Sequence, residues 1–167
     1  MEKLIILSGK ARSGKDTVLD IIKSYYKDKK VINVSYSYYL KDYLKRMNMF
    51  DERNKPRTLM QDFGTYLRKI NKNFLINRVL EDIEVFKNYY DIIVITDARL
   101  IEEVEIPSSI YDAKSIRIER DNFDNGLTMK EKEDITETNL DSYKKFDYII
   151  KNDENLKENI WRILWKY

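Results

Sequence analysis

The chain has neither cysteine nor histidine among its 167 residues. The first absence excludes disulfides, thiolate zinc sites and cysteine nucleophiles. The second removes the commonest general base and any Ser-His-Asp arrangement. Glycine and proline are scarce, at four and two residues. With no repeat or low-complexity linker to divide the chain, one domain over residues 1–167 is the expectation. An excess of either charge is lacking too, since 31 Lys and Arg face 29 Asp and Glu for a formal net charge of +2. That balance carries no basic footprint of a nucleic-acid binder. Near the start, the apolar run Leu4–Leu7 is far too short for a signal core or a spanning helix. The expected setting is therefore the reduced cytoplasm, for a monomer or homodimer with no membrane or nucleic-acid partner.

What is left for chemistry is Lys, Arg, Asp, Glu, Tyr, backbone amides and a metal held by oxygen. This inventory suits phosphoryl transfer, where a protein positions groups and stabilises charge. The hydrophobic fraction of 43% is enough to bury one sizeable core.

Leu4–Leu7, Val31–Tyr36, Ile92–Ile95, Lys114–Ile118 and Tyr148–Ile150 read as strands. Helical spacing marks 15–27 (Val18, Ile22, Tyr25), 38–49 (Leu40, Leu44, Met47), 59–70, and 74–86 (Leu75, Val79, Ile83, Phe86). It marks a terminal helix too, through Leu156, Ile160, Ile163 and Leu164. Leu100–Val104 reads as a short helix and Leu140–Tyr143 as the continuation of another. Polar residues around Pro56 place a loop over 51–57, and the charged, glycine-containing stretch 122–134 is a candidate flexible lid. Strands alternating with helices imply an α/β fold with a parallel sheet between helical layers.

Between the first strand and the first helix lies Ser8-Gly9-Lys10-Ala11-Arg12-Ser13-Gly14-Lys15-Asp16-Thr17. It fits the Walker A pattern G-x-x-x-x-G-K in the strand–loop–helix context the motif requires. Glycines let the backbone turn sharply and approach phosphate closely. Successive amides and the helix N-terminus then offer a positive concavity. Lys15 sets an ammonium on the β and γ phosphates, and Lys10 and Arg12 add charge. Position 16 departs from the usual Ser or Thr that binds Mg²⁺. Asp16 either holds Mg²⁺, directly or through water, or caps the helix while Thr17 contacts phosphate.

This loop resembles the S-G-x-x-x-S-G-K-D pattern of bacteriophage-type deoxynucleoside monophosphate kinases, which animal-type phosphomevalonate kinases share. Later segments are similar in the same order. Ser37-Tyr38-Tyr39-Leu40-Lys41 resembles S-x-P-L-K without its proline, and Gln61-Asp62-Phe63-Gly64-Thr65-Tyr66-Leu67-Arg68 resembles Q-x-F-G-T-x-x-R. Asp97-Ala98-Arg99 with Glu102-Glu103 resembles D-x-R-F-x-x-E. Thr136-Glu137 and Phe146–Asn152 resemble the closing S-E and F-D-x-x-I-x-N elements. The resemblance implies the nucleoside monophosphate kinase fold, with five parallel strands, an acceptor-binding helical region at about 37–88 and a lid at about 121–136. It implies ATP and Mg²⁺ as cofactors and a (deoxy)nucleoside monophosphate as acceptor. Phosphomevalonate or dephospho-coenzyme A is the alternative acceptor, and a non-catalytic nucleotide-binding module the alternative function. A GTP switch is disfavoured, because neither Asn54-Lys55-Pro56-Arg57 nor Asn71-Lys72-Asn73-Phe74 completes Asn-Lys-x-Asp.

Asp97 ends a buried strand where ligands of such sheets gather; it either holds Mg²⁺-bound water or acceptor, or forms a plain turn. Arg99, two residues on, suits a bidentate phosphate clamp, with a surface ion pair as its rival. Lys41 and Arg68 are acceptor-phosphate ligands by resemblance, and Glu137 joins the substrate set on the same ground alone. Arg117 and Arg120 flank the expected lid. Strand alternation favours Arg120 as the catalytic cation nearer the loop, beside Lys15, Arg12 and Asp97. Asn152 follows the last strand, where it either contacts adenine or forms a turn.

Overall fold

A computed structural model describes residues 1–53, 55–121 and 123–167. Asn54, inside the expected 51–57 loop, and Asn122, at the start of the expected lid, lie outside the described residues. Among those described, the strands are β1 (Lys3–Ser8), β2 (Val31–Val34), β3 (Ile92–Ala98), β4 (Ala113–Glu119) and β5 (Tyr148–Lys151). They form one parallel sheet in the order β2-β3-β1-β4-β5. The helices are α1 (Lys15–Tyr25), α2 (Tyr36–Arg46), α3 (Arg57–Ile70), α4 (Phe74–Phe86), α5 (Ile101–Ile110), α6 (Met129–Glu133), α7 (Ile135–Thr138) and α8 (Leu156–Lys166).

The continuous apolar strands follow from helices on both faces. Leu4 and Ile6 of β1, with Ile93 and Ile95 of β3, face a layer containing Leu40 of α2, Leu75, Val79 and Ile83 of α4 and Val104 of α5. Ile5 and Leu7, with Ile92 and Val94, face Val18 and Ile22 of α1 and Ile160 and Leu164 of α8. Each fully buried Leu or Ile stabilises by about 2 kcal/mol. This double packing fixes the central strand, and hence the loop after it.

Several boundaries move for identifiable reasons. β3 continues past the apolar run Ile92–Ile95 to Ala98, one residue beyond Asp97, where the strand was expected to end. β2 stops at Val34, because Ser35 caps α2 by accepting from the Tyr38 N–H at 3.0 Å. The short helix expected at Leu100 runs to Ile110 with Pro107 inside it. A proline lacks the N–H that would reach the carbonyl four residues earlier. Here the Tyr36 hydroxyl donates to that carbonyl, Glu103 O, at 2.8 Å, so the helix passes the proline without an orphaned group. Leu140–Tyr143 is a turn rather than a helix. The charged stretch expected as a flexible lid holds α6, whose Thr128–Glu131 capping box the sequence displays, and is followed by α7, which Asp134 caps.

Candidate active site

β1 is the central strand, so its C-terminal end opens between β3 and β4, where a parallel sheet gathers its ligands. The chain leaves at Ser8 and enters α1 at Lys15. Gly9 has φ +146°, and a Cβ there would overlap the Ile118 carbonyl oxygen and stand 2.5 Å from Ser13 Oγ. Gly14 has φ +103°, and a Cβ there would collide with the Asn152 carboxamide. Both positions thus demand glycine on conformation and on space. Arg12 takes φ +58° without being glycine, a left-handed conformation that costs about 1 kcal/mol. Its guanidinium rests against Gly126, where a Cβ would lie 2.8 Å from Nη1.

The Lys15 side chain is buried across this loop, its Nζ donating to Gly9 O and Lys10 O, each at 2.7 Å. Burial, aided by the charge of Arg99, lowers its pKa to about 7, against the pull of Glu137, Asp97 and Asp16. Loop amides, the start of α1 and a partly compensated ammonium converge in one concavity, an arrangement suited to a polyanion. Asp16 lies exposed in the first turn with Thr17 beside it. Gly14 is the N-cap and makes no side-chain cap bond, so the capping role considered for Asp16 is corrected. Among the described residues no group of three His, Cys, Asp or Glu could hold a metal ion.

The end of β3 carries the second group of candidates. Asp97 accepts the Tyr36 N–H on Oδ1 and the Ser37 N–H on Oδ2, both at 2.9 Å. It therefore binds the start of α2 to the sheet, an occupation more specific than the plain turn considered from sequence. Arg99 donates from Nη1 to Glu137 Oε1 at 2.6 Å, and the other oxygen of Glu137 accepts the Ala11 N–H at 3.0 Å. This ion pair is not on the surface: the side chains are 21% and 6% exposed. Beneath it, buried Glu103 accepts the backbone N–H of Arg99 at 2.7 Å and of Leu100 at 3.1 Å. Burial raises the Glu103 carboxyl to about 7, the charge of Asp97 adding and the two amides opposing.

Arg68 and Lys41 stand on the helices beside this strand end. Arg68 donates to Thr65 Oγ1 at 3.1 Å and crosses Gly64, where a Cβ would lie 3.3 Å from its Nη1 and 3.5 Å from a Leu40 methyl. Lys41 is half-buried in the second turn of α2, the helix Asp97 caps.

On the other flank of the loop, a cavity of about 310 Å³ is lined by Lys10, Ser13, Arg117, Arg120, Phe123 and Asn125 among others. Arg120 lays its guanidinium 3.8 Å above the Phe123 ring. Arg117, expected on the side away from the loop, is corrected: its register partner is Ser8, and both arginines line this cavity. Asp141 explains the placement, accepting Arg117 Nη2 at 2.9 Å and Lys10 Nζ at 2.8 Å. Asn152 donates from Nδ2 to Ser13 O at 2.8 Å, so it buttresses the loop from behind. Sequence reasoning missed Asp141, which has no local signal, and quoted Glu103 within a motif without giving it a role, though its place three residues after Leu100 at the start of α5 was the available clue.

Comparison with known proteins adds to this geometry. A family model described as deoxynucleotide monophosphate kinase matches residues 26–163, beginning after the phosphate loop. No curated protein matches the chain in sequence. Among solved structures, TT1252 from Thermus thermophilus is similar at TM-score 0.59 and 12% identity, covering 98% of this chain and 95% of its own. A dephospho-CoA kinase from Campylobacter jejuni gives 0.55 and 15%, with coverage of 98% and 96%. Shikimate kinase from Aquifex aeolicus gives 0.52 and 16%, with 98% and 94%. At these identities the likeness speaks to the fold.

Proposed function

We propose a function for a chain that belongs to the deoxynucleotide monophosphate kinase family: transfer of the γ-phosphoryl group of ATP to the phosphate of a (deoxy)nucleoside monophosphate, giving the diphosphate. The membership makes it a small-molecule phosphotransferase with a nucleotide-binding loop; the acceptor is the part proposed. The observation that carries the reading is the convergence of Lys15, the Ala11 amide and Arg99 around Glu137 at the C-terminal end of the sheet.

In this reading ATP supplies the phosphoryl group and Mg²⁺ neutralises charge on its phosphates. The loop fits the phosphates, because its two glycines leave no room for side chains in the cradle. Exposed Asp16, beside Thr17, fits a cation that keeps most of its water and takes its remaining ligands from phosphate. Asp97 is available to such water only through lone pairs its two amides leave open. Lys15, Arg12, Arg99 and Arg120 stabilise the charge that spreads over the phosphoryl oxygens in transit. A phosphate acceptor is already anionic, so the absence of histidine costs nothing.

Helices α2 to α4, about 37–88, form the acceptor region, with Lys41 and Arg68 directed at its phosphate. Residues 121–136 form the lid. Two contacts support that role: Arg12 meets Gly126 on the loop side, and Thr58 and Gln61 of α3 donate to Glu131 of α6 at 3.3 and 3.2 Å. A lid joined to both halves excludes water, which protects ATP from hydrolysis. The test is coupled ADP release against all common nucleoside and deoxynucleoside monophosphates, phosphomevalonate and dephospho-coenzyme A. Turnover is expected with at least one deoxynucleotide and none is expected for Lys15→Ala. Turnover with a non-nucleotide acceptor alone would overturn the acceptor assignment.

A further inference from the structure

The Glu137 carboxylate occupies a position that its own chemistry does not require. It sits on a four-residue helix, yet reaches across to accept one hydrogen bond from a loop amide and one from the strand-end arginine. A backbone N–H and a guanidinium facing each other a few ångströms apart are the donors a tetrahedral phosphoryl oxygen takes. We propose that the Ala11 N–H and the Arg99 guanidinium form a subsite for the transferring phosphoryl group, and that Glu137 fills it as an internal substitute which that group displaces.

The surroundings agree with this assignment. Lys15 lies close enough that Arg99 disfavours its charge and Glu137 favours it, so a second cation stands within electrostatic reach of the carboxylate while its own hydrogen bonds go to Gly9 O and Lys10 O. Ala11 precedes the helix entrance by three residues and is joined to the end of β3 through Glu137, which accepts from Arg99 as well. The amides that open α1 are left for the inner phosphates, and the Ala11–Arg99 pair meets the outermost one. Ser8 supplies an independent sign that this point is not packed for good. Its hydroxyl is fully buried and has no partner among the described residues, at the wall of a cavity of about 10 Å³ shared with Arg99, Arg117, Thr136 and Glu137. That volume admits one water molecule, so the donors around Glu137 meet a polar opening rather than sealed core.

Displacement has a mechanical consequence. The backbone carrying Glu137 is continuous with α6, which Glu131 fastens to Thr58 of α3. Exchanging the carboxylate for a phosphoryl group removes two of the bonds that hold the α7 end of this strap, leaving Asn139 on the Ile101 N–H, while the α3 end stays attached. Arrival of the donor at the loop is thereby communicated to the acceptor helices.

The inference rests on the kinase reading above, and the measurements separate the two. Hydrogen exchange of the wild-type protein, with and without a non-hydrolysable ATP analogue, is expected to slow in residues 9–17 and to quicken in 134–140. Slowing in both segments would overturn the displacement while leaving the kinase reading intact; no slowing in 9–17 would sink both. Calorimetric titration of Glu137→Gln, which keeps the shape and removes the charge, is expected to bind ATP about tenfold more tightly and ADP within twofold of wild type. An ATP affinity unchanged or weakened would refute the subsite.

Discussion

Two glycines place the halves of the candidate site side by side. At Gly9 a side chain would strike a backbone carbonyl, in a conformation only glycine adopts readily. At Gly64, inside α3, it would meet the mobile end of Arg68 and both methyls of Leu40, in ordinary helical geometry. The loop is determined by main-chain atoms that cannot move aside. The α2–α3 face is determined by side chains that can. The difference teaches that the loop is rigid and locally determined, whereas the α2–α3 face is adjustable and assembled from distant segments.

Gly9→Ala should have the largest effect. Strain and overlap together are expected to destabilise the fold by about 3 kcal/mol and to lower turnover at least a hundredfold. Thermal unfolding and ADP release read the two quantities, and a variant with near-normal turnover would dissolve the contrast between the halves. Asp97→Asn comes next, because it leaves one acceptor oxygen where two amides and a helix dipole are now met. The expected cost is about 1–2 kcal/mol, with a raised KM for the acceptor and an ATP affinity near wild type, since α2 and not the loop loses its anchor. An equal loss of ATP affinity would show that the halves are not separable in this way.

Lys15 allows the loop to be probed by pH. Its pKa is about 7 in the folded protein against 10.5 ordinarily. Between those values the unfolded chain binds more protons, so this group's contribution to stability rises with pH across that window. Bound polyanion restores the charge. ATP binding is then expected to take up close to one proton at pH 9 and almost none at pH 6, as read by calorimetry in buffers of different ionisation enthalpy. Uptake that does not vary with pH would remove the electrostatic basis given to the loop. Gly64→Ala should be the mildest change. A helical Gly→Ala gains up to about 1 kcal/mol, and the 3.3 Å approach of Arg68 offsets part of it. A small rise in melting temperature with a modest change in acceptor KM is expected, and a fall comparable with that of Gly9→Ala would make the two glycines equivalent after all.

The same contrast governs how much of the molecule is legible in its sequence. The loop was legible because its determinants lie between residues 9 and 17, and the strands because two-sided burial leaves unbroken apolar runs. α4 was found to the residue, since its stripe is regular. The other half depends on pairings at long separation: Asp97 with Tyr36, Glu137 with Ala11, Asp141 with Lys10 and Arg117. No local pattern announces such pairs. Alternation along β4 put Arg117 on the side away from the loop, and it could not foresee that Asp141 ties Arg117 to the loop's own Lys10. Asn152, expected after the last strand to contact adenine or form a turn, instead donates to the Ser13 carbonyl of the loop.

The hydroxyl that Tyr36 lends to the Glu103 carbonyl joins two distant positions in inheritance. While residue 107 is proline, loss of the phenol strands a buried acceptor; once residue 107 regains an N–H, the phenol is redundant. Relatives should therefore carry the two together or neither, and a lineage that changes one is under pressure to change the other.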